Sequence, residues 1–197
     1  KTGVALTLAS TLLLGGCASG SRNQMIISTA DQKMVLLRDG KPTRSFPVST
    51  SKFGLGDSRG SYATPLGKLR VRKKIGDDMP AGTVFKGRIP TGEVLPVNAP
   101  GRDPIVTRIL WLEGLEARNR NAFSRYIYIH GTPEERNIGQ PVSFGCIRMR
   151  SCDVIELFDS IGVNAQVFVT PKPLPRALAQ ISENQMGPAS QGDDRPL

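Results

Sequence analysis

Short apolar runs alternate with polar turns along most of the chain, a pattern that is typical of β-strands. An antiparallel meander is predicted over 25–50, with the turn signal Asp39-Gly40 inside it. Residues 54–67 and 76–104 are rich in glycine, proline and aspartate and are predicted as loops. Runs of β-branched and aromatic residues predict further strands at 69–75, 105–112, 125–130 and 167–169.

One helix is predicted, between the last two of these strands. Ser151 is placed to cap it, Asp153 suits its positive N-terminus, and Gly162 ends it. Its apolar stripe consists of Val154, Ile155, Leu157, Phe158 and Ile161. Residues 172–197 are polar and contain several prolines, and they are predicted to form a flexible tail with only transient helix at 176–185.

Composition agrees with a mainly β fold and narrows the class of partner. The 21 glycines and 15 prolines among 197 residues suit strands and turns better than a helical protein. The formal net charge of +9 favours an anionic partner such as nucleic acid, anionic lipid or a wall polymer. The basic residues are scattered along the chain, which argues against nucleic acid.

The N-terminal segment indicates export. Lys1 precedes an uncharged stretch over 4–14, which is too short to span the ~30 Å of a bilayer core but has the length of a signal-peptide core. The following tetrapeptide, 14–17 (LGGC), resembles the lipobox of bacterial lipoproteins, in which the cysteine becomes the acylated N-terminus. The alternative is an ordinary cleaved signal with Cys17 nearby.

This interpretation divides the chain into four parts. They are a signal peptide over 1–16, a tether over 17–23, a compact domain over 24–171 and the tail. Ala18 is not the aspartate that retains enteric lipoproteins in the inner membrane. We therefore expect a lipid anchor at Cys17 in the outer membrane, with the domain facing the periplasm.

A histidine and a cysteine are the candidates for chemistry. His130, the single histidine, ends a predicted strand, and Cys146 follows sixteen residues later, just before the predicted helix. A thiol attacks as thiolate, so a nearby imidazole and a helix N-terminus would both activate it. Gly145 would let backbone N–H groups approach a substrate carbonyl as an oxyanion hole. The alternative to catalysis is that His130 is structural and Cys146 is a buried apolar residue. A metal site is disfavoured because no fourth ligand is evident.

The residues around this pair closely resemble the signature of L,D-transpeptidases with the YkuD-type catalytic domain. The resemblance rests on the segments 128–132 (YIHGT), 138–139 (IG) and 143–149 (SFGCIRM), supported by 48–50 and 64–68. It covers roughly 24–171 and implies packed β-sheets with one short helix after the catalytic cysteine.

The resemblance also implies a function and a set of roles. Cys146 would attack a peptidoglycan stem peptide at the third residue, with His130 as general base and acid, and pass the acyl group to an amine. That transfer would make a 3–3 crosslink or attach a protein, without metal or cofactor. Gly145 would belong to the oxyanion region and Ser143 would support the site. Substrate contacts would come from Gly131, Thr132, Phe144 and Arg148, although Arg148 would equally suit bracing of the loop.

Two departures and two alternatives remain at this point. Phe144 stands where the family often has histidine, and Cys152 lies unusually close to the nucleophile. A disulfide between Cys146 and Cys152 is not expected, because only a tight reversal would bring their Cα atoms within ~4.4–6.8 Å. The alternative functions are a hydrolytic relative that trims wall peptides and a non-catalytic wall-binding lipoprotein.

Overall fold

A computed structural model describes residues 23–186. The predicted signal peptide, Cys17 and nearly all of the tether lie outside the described residues. The ten strands are β1 (Asn23–Ser28), β2 (Lys33–Arg38), β3 (Lys41–Pro47), β4 (Gly67–Ile75), β5 (Thr83–Lys86), β6 (Ile89–Val94), β7 (Ile105–Gly114), β8 (Tyr128–Gly131), β9 (Ile147–Met149) and β10 (Gln166–Thr170). The two α-helices are α1 (Ser151–Ser160) and α2 (Leu174–Met186).

The strands form one mixed sheet that branches at β7. Its main path runs β3-β2-β1-β10-β4-β7-β5-β6, and β8 pairs with β7 on one side and β9 on the other. The β1–β10 and β8–β9 pairs are parallel, whereas the others are antiparallel. This arrangement confirms the mainly β class, the N-terminal meander and the closing strand.

The apolar core lies on both faces of the sheet. Met25 and Ile27 enter the main cluster, which also takes in the buried side of α1 and strands β7 to β9. Ile26, between them, faces the opposite side and packs under α2. Alternate residues of a strand point to opposite faces, so a continuous apolar run is what a strand covered on both sides requires.

Two local predictions need correction around β8 and α1. Strand β8 begins at Tyr128 and not at 125, because Tyr126 has a left-handed backbone (φ +58°). Ser151 is the first residue of α1 and makes no side-chain cap; its N–H instead donates to the carboxylate of Glu135 at 2.7 Å. The helix ends at Ser160, before the predicted stop at Gly162.

The segment 76–104, predicted as a loop, contains the hairpin of β5 and β6. Lys86 pairs with Ile89, so Gly87 and Arg88 alone form the connection. Both have positive φ (+58° and +69°), as in a type I′ turn.

Helix α2 corrects the prediction of a flexible tail from residue 172. Leu174 and Ala177 are buried, and together with Leu178 and Ile181 they pack on an apolar patch of the sheet. Pro175 lies in the first turn, where a missing N–H breaks no helical hydrogen bond. Within residues 23–186, neither helix combines the length and apolar character needed to cross a bilayer.

The packing of α2 leads to a stability prediction. Ala177→Asp places a carboxylate against the buried patch and should lower the free energy of unfolding by about 2–4 kcal/mol. Ala179→Asp, on the exposed side of the same helix, is the matched control and should change it little. Urea denaturation of both variants measures the difference. Equal stabilities would show that α2 does not depend on this face.

Candidate active site

The parallel pairing of β8 and β9 brings the predicted residues together. His130 pairs with Arg148, and Ile129 pairs with Ile147. Both isoleucines are fully buried in the main core. Because side chains alternate along a strand, His130 and Arg148 face the other side, as does Cys146, two residues before Arg148.

A bulge in β7 lies beside the end of β8, on the edge of β8 opposite β9. The β7–β8 register shifts between Val106 and Ile109, and Thr107 has φ +73°, which is a rare conformation for a β-branched residue. The buried hydroxyl of Thr107 lies 2.8 Å from that of Ser151. A Cβ on Gly131 would lie 2.7 Å from the Val106 carbonyl, so only glycine fits there.

His130 is held as a neutral base. Its side chain is buried, and Nδ1 lies 2.8 Å from the Gly131 carbonyl, which accepts a hydrogen only from an Nδ1–H. Nε2 is therefore left as the acceptor. Burial lowers the pKa of His130 to about 4, the Gly131 hydrogen bond opposes this, and the positive charge of Arg148 lowers it further.

Cys146 is held as a neutral thiol. Its Sγ donates to the Tyr126 carbonyl at 3.5 Å and accepts from the Tyr128 N–H at 3.4 Å. Burial raises the pKa of Cys146 to about 11, although the Tyr128 N–H and the charges of Arg148 and Arg125 act to lower it. β9 lies between Cys146 and α1 in the chain, so the helix does not begin directly at the thiol, and its activation of the thiol stays a prediction.

The loop before Cys146 is fixed by buried hydroxyls. Ser143 Oγ donates to the Cys146 carbonyl at 2.5 Å and accepts from the Gly145 N–H at 3.3 Å. Thr64 Oγ1 donates to the Gly145 carbonyl at 3.1 Å, and Gly145 itself has φ +113°. Ser143 thus supports the loop that carries Cys146, while the Gly131 carbonyl orients the histidine.

Arg148 and Thr132 both bind the carboxylate of Asp103. Asp103 was not identified from the sequence as part of the site. Arg148 Nη1 lies 2.5 Å from an Asp103 carboxylate oxygen, and Thr132 Oγ1 donates to the other. The guanidinium is therefore committed to a mostly buried ion pair, in agreement with a bracing role. Thr132 and Gly131 are also buried, so the structure gives them framework contacts. Their contact with substrate stays a prediction.

Phe144 belongs to an exposed aromatic cluster with Phe53 and Tyr62. Its ring centroid lies 5.3 Å from that of Phe53 and 5.9 Å from that of Tyr62. A cavity of about 340 Å³ adjoins it, lined in part by Tyr62, Arg125 and Ile127. Arg125 forms a buried ion pair with Asp57 at 2.9 Å, which ties the floor of this cavity to the preceding loop.

Two further observations concern cysteines and metals. Cys146 and Cys152 are both free thiols, and Cys152 is exposed on the first turn of α1. No group of three or more His, Cys, Asp or Glu side chains in residues 23–186 is arranged to hold a metal ion.

The buried neutral histidine predicts a pH-dependent stability. The unfolded chain binds a proton at His130 below about pH 6.5, whereas the folded protein binds it only near pH 4. The free energy of unfolding should therefore fall by about 2–3 kcal/mol as the pH drops through this range. The His130→Gln variant should lack this part of the fall in the free energy of unfolding, and it keeps every carboxylate whose titration also affects stability. Urea denaturation at several pH values tests this, and parallel curves for the two proteins would contradict it.

The sequence matches known proteins of one family. A family model described as the YkuD L,D-transpeptidase catalytic domain covers residues 22–169. YqjB of Bacillus subtilis (strain 168), named as an L,D-transpeptidase, is 40% identical over 146 residues, or 74% of this chain and 70% of that protein. ErfK/SrfK of Escherichia coli (strain K12), also named as an L,D-transpeptidase, is 25% identical over 88% of this chain and 51% of its own length.

Solved structures agree on the fold. An L,D-transpeptidase from Mycobacterium smegmatis superposes with a TM-score of 0.50 at 18% identity, over 77% of this chain and 59% of that one. The Ldtfm–avibactam carbamoyl enzyme also gives 0.50, at 17% identity, over 77% and 50%. This chain thus spans only part of several relatives. The match of the family model over three quarters of the sequence shows that the chain belongs to the L,D-transpeptidase family, with its YkuD catalytic domain at 22–169.

Proposed function

We propose that this protein is a transpeptidase that forms an acyl-enzyme at Cys146 with a peptidoglycan stem peptide. The acyl group then passes to an amine, forming a 3–3 crosslink or attaching a protein to the wall. The observation that carries the proposal is the placement of the His130 imidazole on β8 and of the Cys146 thiol, directly before β9, on one face of these two paired strands. Family membership supplies the substrate class.

The first half-reaction begins from the uncharged pair. As Sγ of Cys146 bonds to the substrate carbonyl, His130 Nε2 takes the thiol proton. The thiol is not ionised beforehand, so the proton leaves during the attack. The imidazolium then protonates the departing amine of the terminal D-amino acid, which leaves a thioester on Cys146. The positive charge of Arg148 disfavours the imidazolium and promotes this return of the proton.

Backbone and arginine charges are placed to stabilise the negative charge that develops. The N–H of Cys146 donates no hydrogen bond to any group in residues 23–186, so it is free to bind the oxyanion. Arg148 and Arg125 both favour negative charge at the sulfur. Both guanidiniums are fixed by carboxylates, Asp103 and Asp57, and they require little reorganisation during the reaction.

The second half-reaction reverses the proton path. An acceptor amine enters once the D-amino acid has left, and His130 removes a proton as the nitrogen attacks the thioester. Collapse of the tetrahedral intermediate expels the sulfur, which recovers its proton from the imidazolium. An amide forms as the thioester breaks, and the enzyme returns to its starting state.

Substitution of the pair tests this mechanism. Cys146→Ala should abolish both the acyl-enzyme and product formation. His130→Ala should lower kcat/KM by about 10²–10⁴-fold, the usual contribution of a general base. Incubation with tetrapeptide-containing muropeptides, followed by mass spectrometry, measures thioester, dimer and released D-amino acid.

The matched control is Cys152→Ala, which removes the exposed thiol and should leave turnover unchanged. Circular dichroism establishes that each variant is folded, since His130 is buried. Trimmed peptides without dimers would identify a hydrolase. Normal turnover by the Cys146→Ala variant would overturn the proposed nucleophile, and wild-type protein that forms no thioester would favour a wall-binding role.

We also propose that the protein is a lipoprotein anchored through Cys17, with the catalytic domain facing the periplasm. The support is the sequence 14–17 after an uncharged segment of signal-peptide length, and a substrate that lies in the cell wall. Ala18 following the cysteine favours the outer membrane.

Metabolic labelling tests the anchor directly. Cells fed an alkyne fatty acid should yield labelled protein that fractionates with membranes. Cys17→Ala should abolish the label, whereas Cys152→Ala should retain it. Unlabelled wild-type protein in the soluble fraction would exclude the anchor.

A further inference from the structure

Arg88 lies at the tip of the β5–β6 hairpin in an unfavourable backbone conformation. It is the second residue of the two-residue connection, with φ +69°, where glycine or asparagine would be relaxed. An arginine there costs stability in the turn. Strain of this kind persists where the surrounding structure holds it, often at binding sites.

The guanidinium of Arg88 is held over an aromatic platform. Its Cζ lies 4.7 Å from the ring centroid of Trp111 and 4.9 Å from that of Tyr126. Nη1 also donates to the Tyr128 hydroxyl at 3.2 Å. Stacking of this kind orients the planar fork and leaves its edges available to a ligand.

Among the side chains that the structure describes, over 23–181, Arg88 has no carboxylate partner. Lys73 adds a second cation over the same indole, with Nζ 5.7 Å from the Trp111 centroid, and it too forms no ion pair there. By contrast, Arg125 and Arg148 are both paired with aspartates. Two uncompensated cations over one aromatic ring create a local preference for an anion.

Arg88 contacts the two residues that surround the Cys146 sulfur. The backbone groups that contact the Cys146 sulfur belong to Tyr126 and Tyr128, whose side chains contact Arg88. Negative charge on Cys146 also raises the pKa of the Tyr128 hydroxyl, although burial contributes more. Tyr126 and Tyr128 thus connect the Arg88 fork to the surroundings of the Cys146 sulfur.

We infer that Arg88, assisted by Lys73, binds a carboxylate of the donor stem peptide while Cys146 attacks. The inference rests on the proposed function and names a recognition residue for that reaction. A donor tetrapeptide offers a terminal carboxylate and, where its diamino acid carries one, a side-chain carboxylate. Either provides the two oxygens that a guanidinium fork binds.

Steady-state kinetics on three synthetic donors test the inference. One has both carboxylates free, one has the terminal carboxylate amidated, and one has the side-chain carboxylate amidated. Arg88→Gln should raise KM for the free donor about tenfold, the usual loss for a hydrogen-bonded charge at a partly exposed site. Arg38→Gln, an exposed arginine at the distant end of β2, is the matched control and should change nothing.

The amidated donors identify the group that is bound. If amidation of one carboxylate makes the KM values of the wild-type and Arg88→Gln proteins equal, that carboxylate is the group that Arg88 binds. An Arg88→Gln effect of the same size on all three donors, or no effect on any, overturns the inference while turnover by the wild type upholds the proposed function. A wild-type protein that turns over none of the donors refutes the proposed function itself, and the subsite with it.

A second substitution separates recognition from a purely structural role. Arg88→Gly removes the guanidinium and also relieves the positive φ, so it should melt at a higher temperature than Arg88→Gln. Both variants should show the same rise in KM. A KM that instead follows the melting temperature would show that Arg88 acts only by holding the hairpin.

Discussion

The parallel register between β8 and β9 is the constraint on which the rest of the site depends. It pairs His130 with Arg148 and puts Cys146 on the same face, although fifteen residues lie between the histidine and the cysteine in the sequence. A shift of one residue would turn Cys146 into the core. The same slip of β9 would turn Ile147 out of the main core, which makes it costly.

Burial in this register determines the charge state of the resting enzyme. Burial lowers the pKa of the His130 imidazole and raises that of the partly buried Cys146 thiol, so the neutral pair is favoured. In the proposed mechanism the thiolate therefore forms only as the sulfur attacks the substrate. The arginines nearby are neutralised by aspartates, and they favour the developing charge without ionising the thiol in advance.

Sequence patterns predicted the parts of the fold that depend on local order. The meander, β7, the closing strand and the placement of His130 at a strand end follow from alternation and turn residues. Pro175 and a polar composition predict a tail with only transient helix at 176–185, whereas four apolar residues packing on the sheet stabilise α2. The pKa of Cys146 and the Arg148–Asp103 pair were not predictable, because each depends on contacts between segments distant in sequence.

Strained backbone is concentrated around the site. Nine non-glycine residues among 23–186 have positive φ, and four of them are asparagine or aspartate, which tolerate it best. Of the other five, Tyr62 contacts Phe144, Thr107 lies beside Gly131, Tyr126 contacts Cys146 and Arg88 contacts Tyr126. The fifth is Gln32. The left-handed turn at Tyr126 directs its carbonyl toward the Cys146 sulfur, and the bulge at Thr107 accommodates Gly131 beside the histidine. A fold selected for stability alone would place glycine or asparagine at these positions, so the strain reflects the demands of the site.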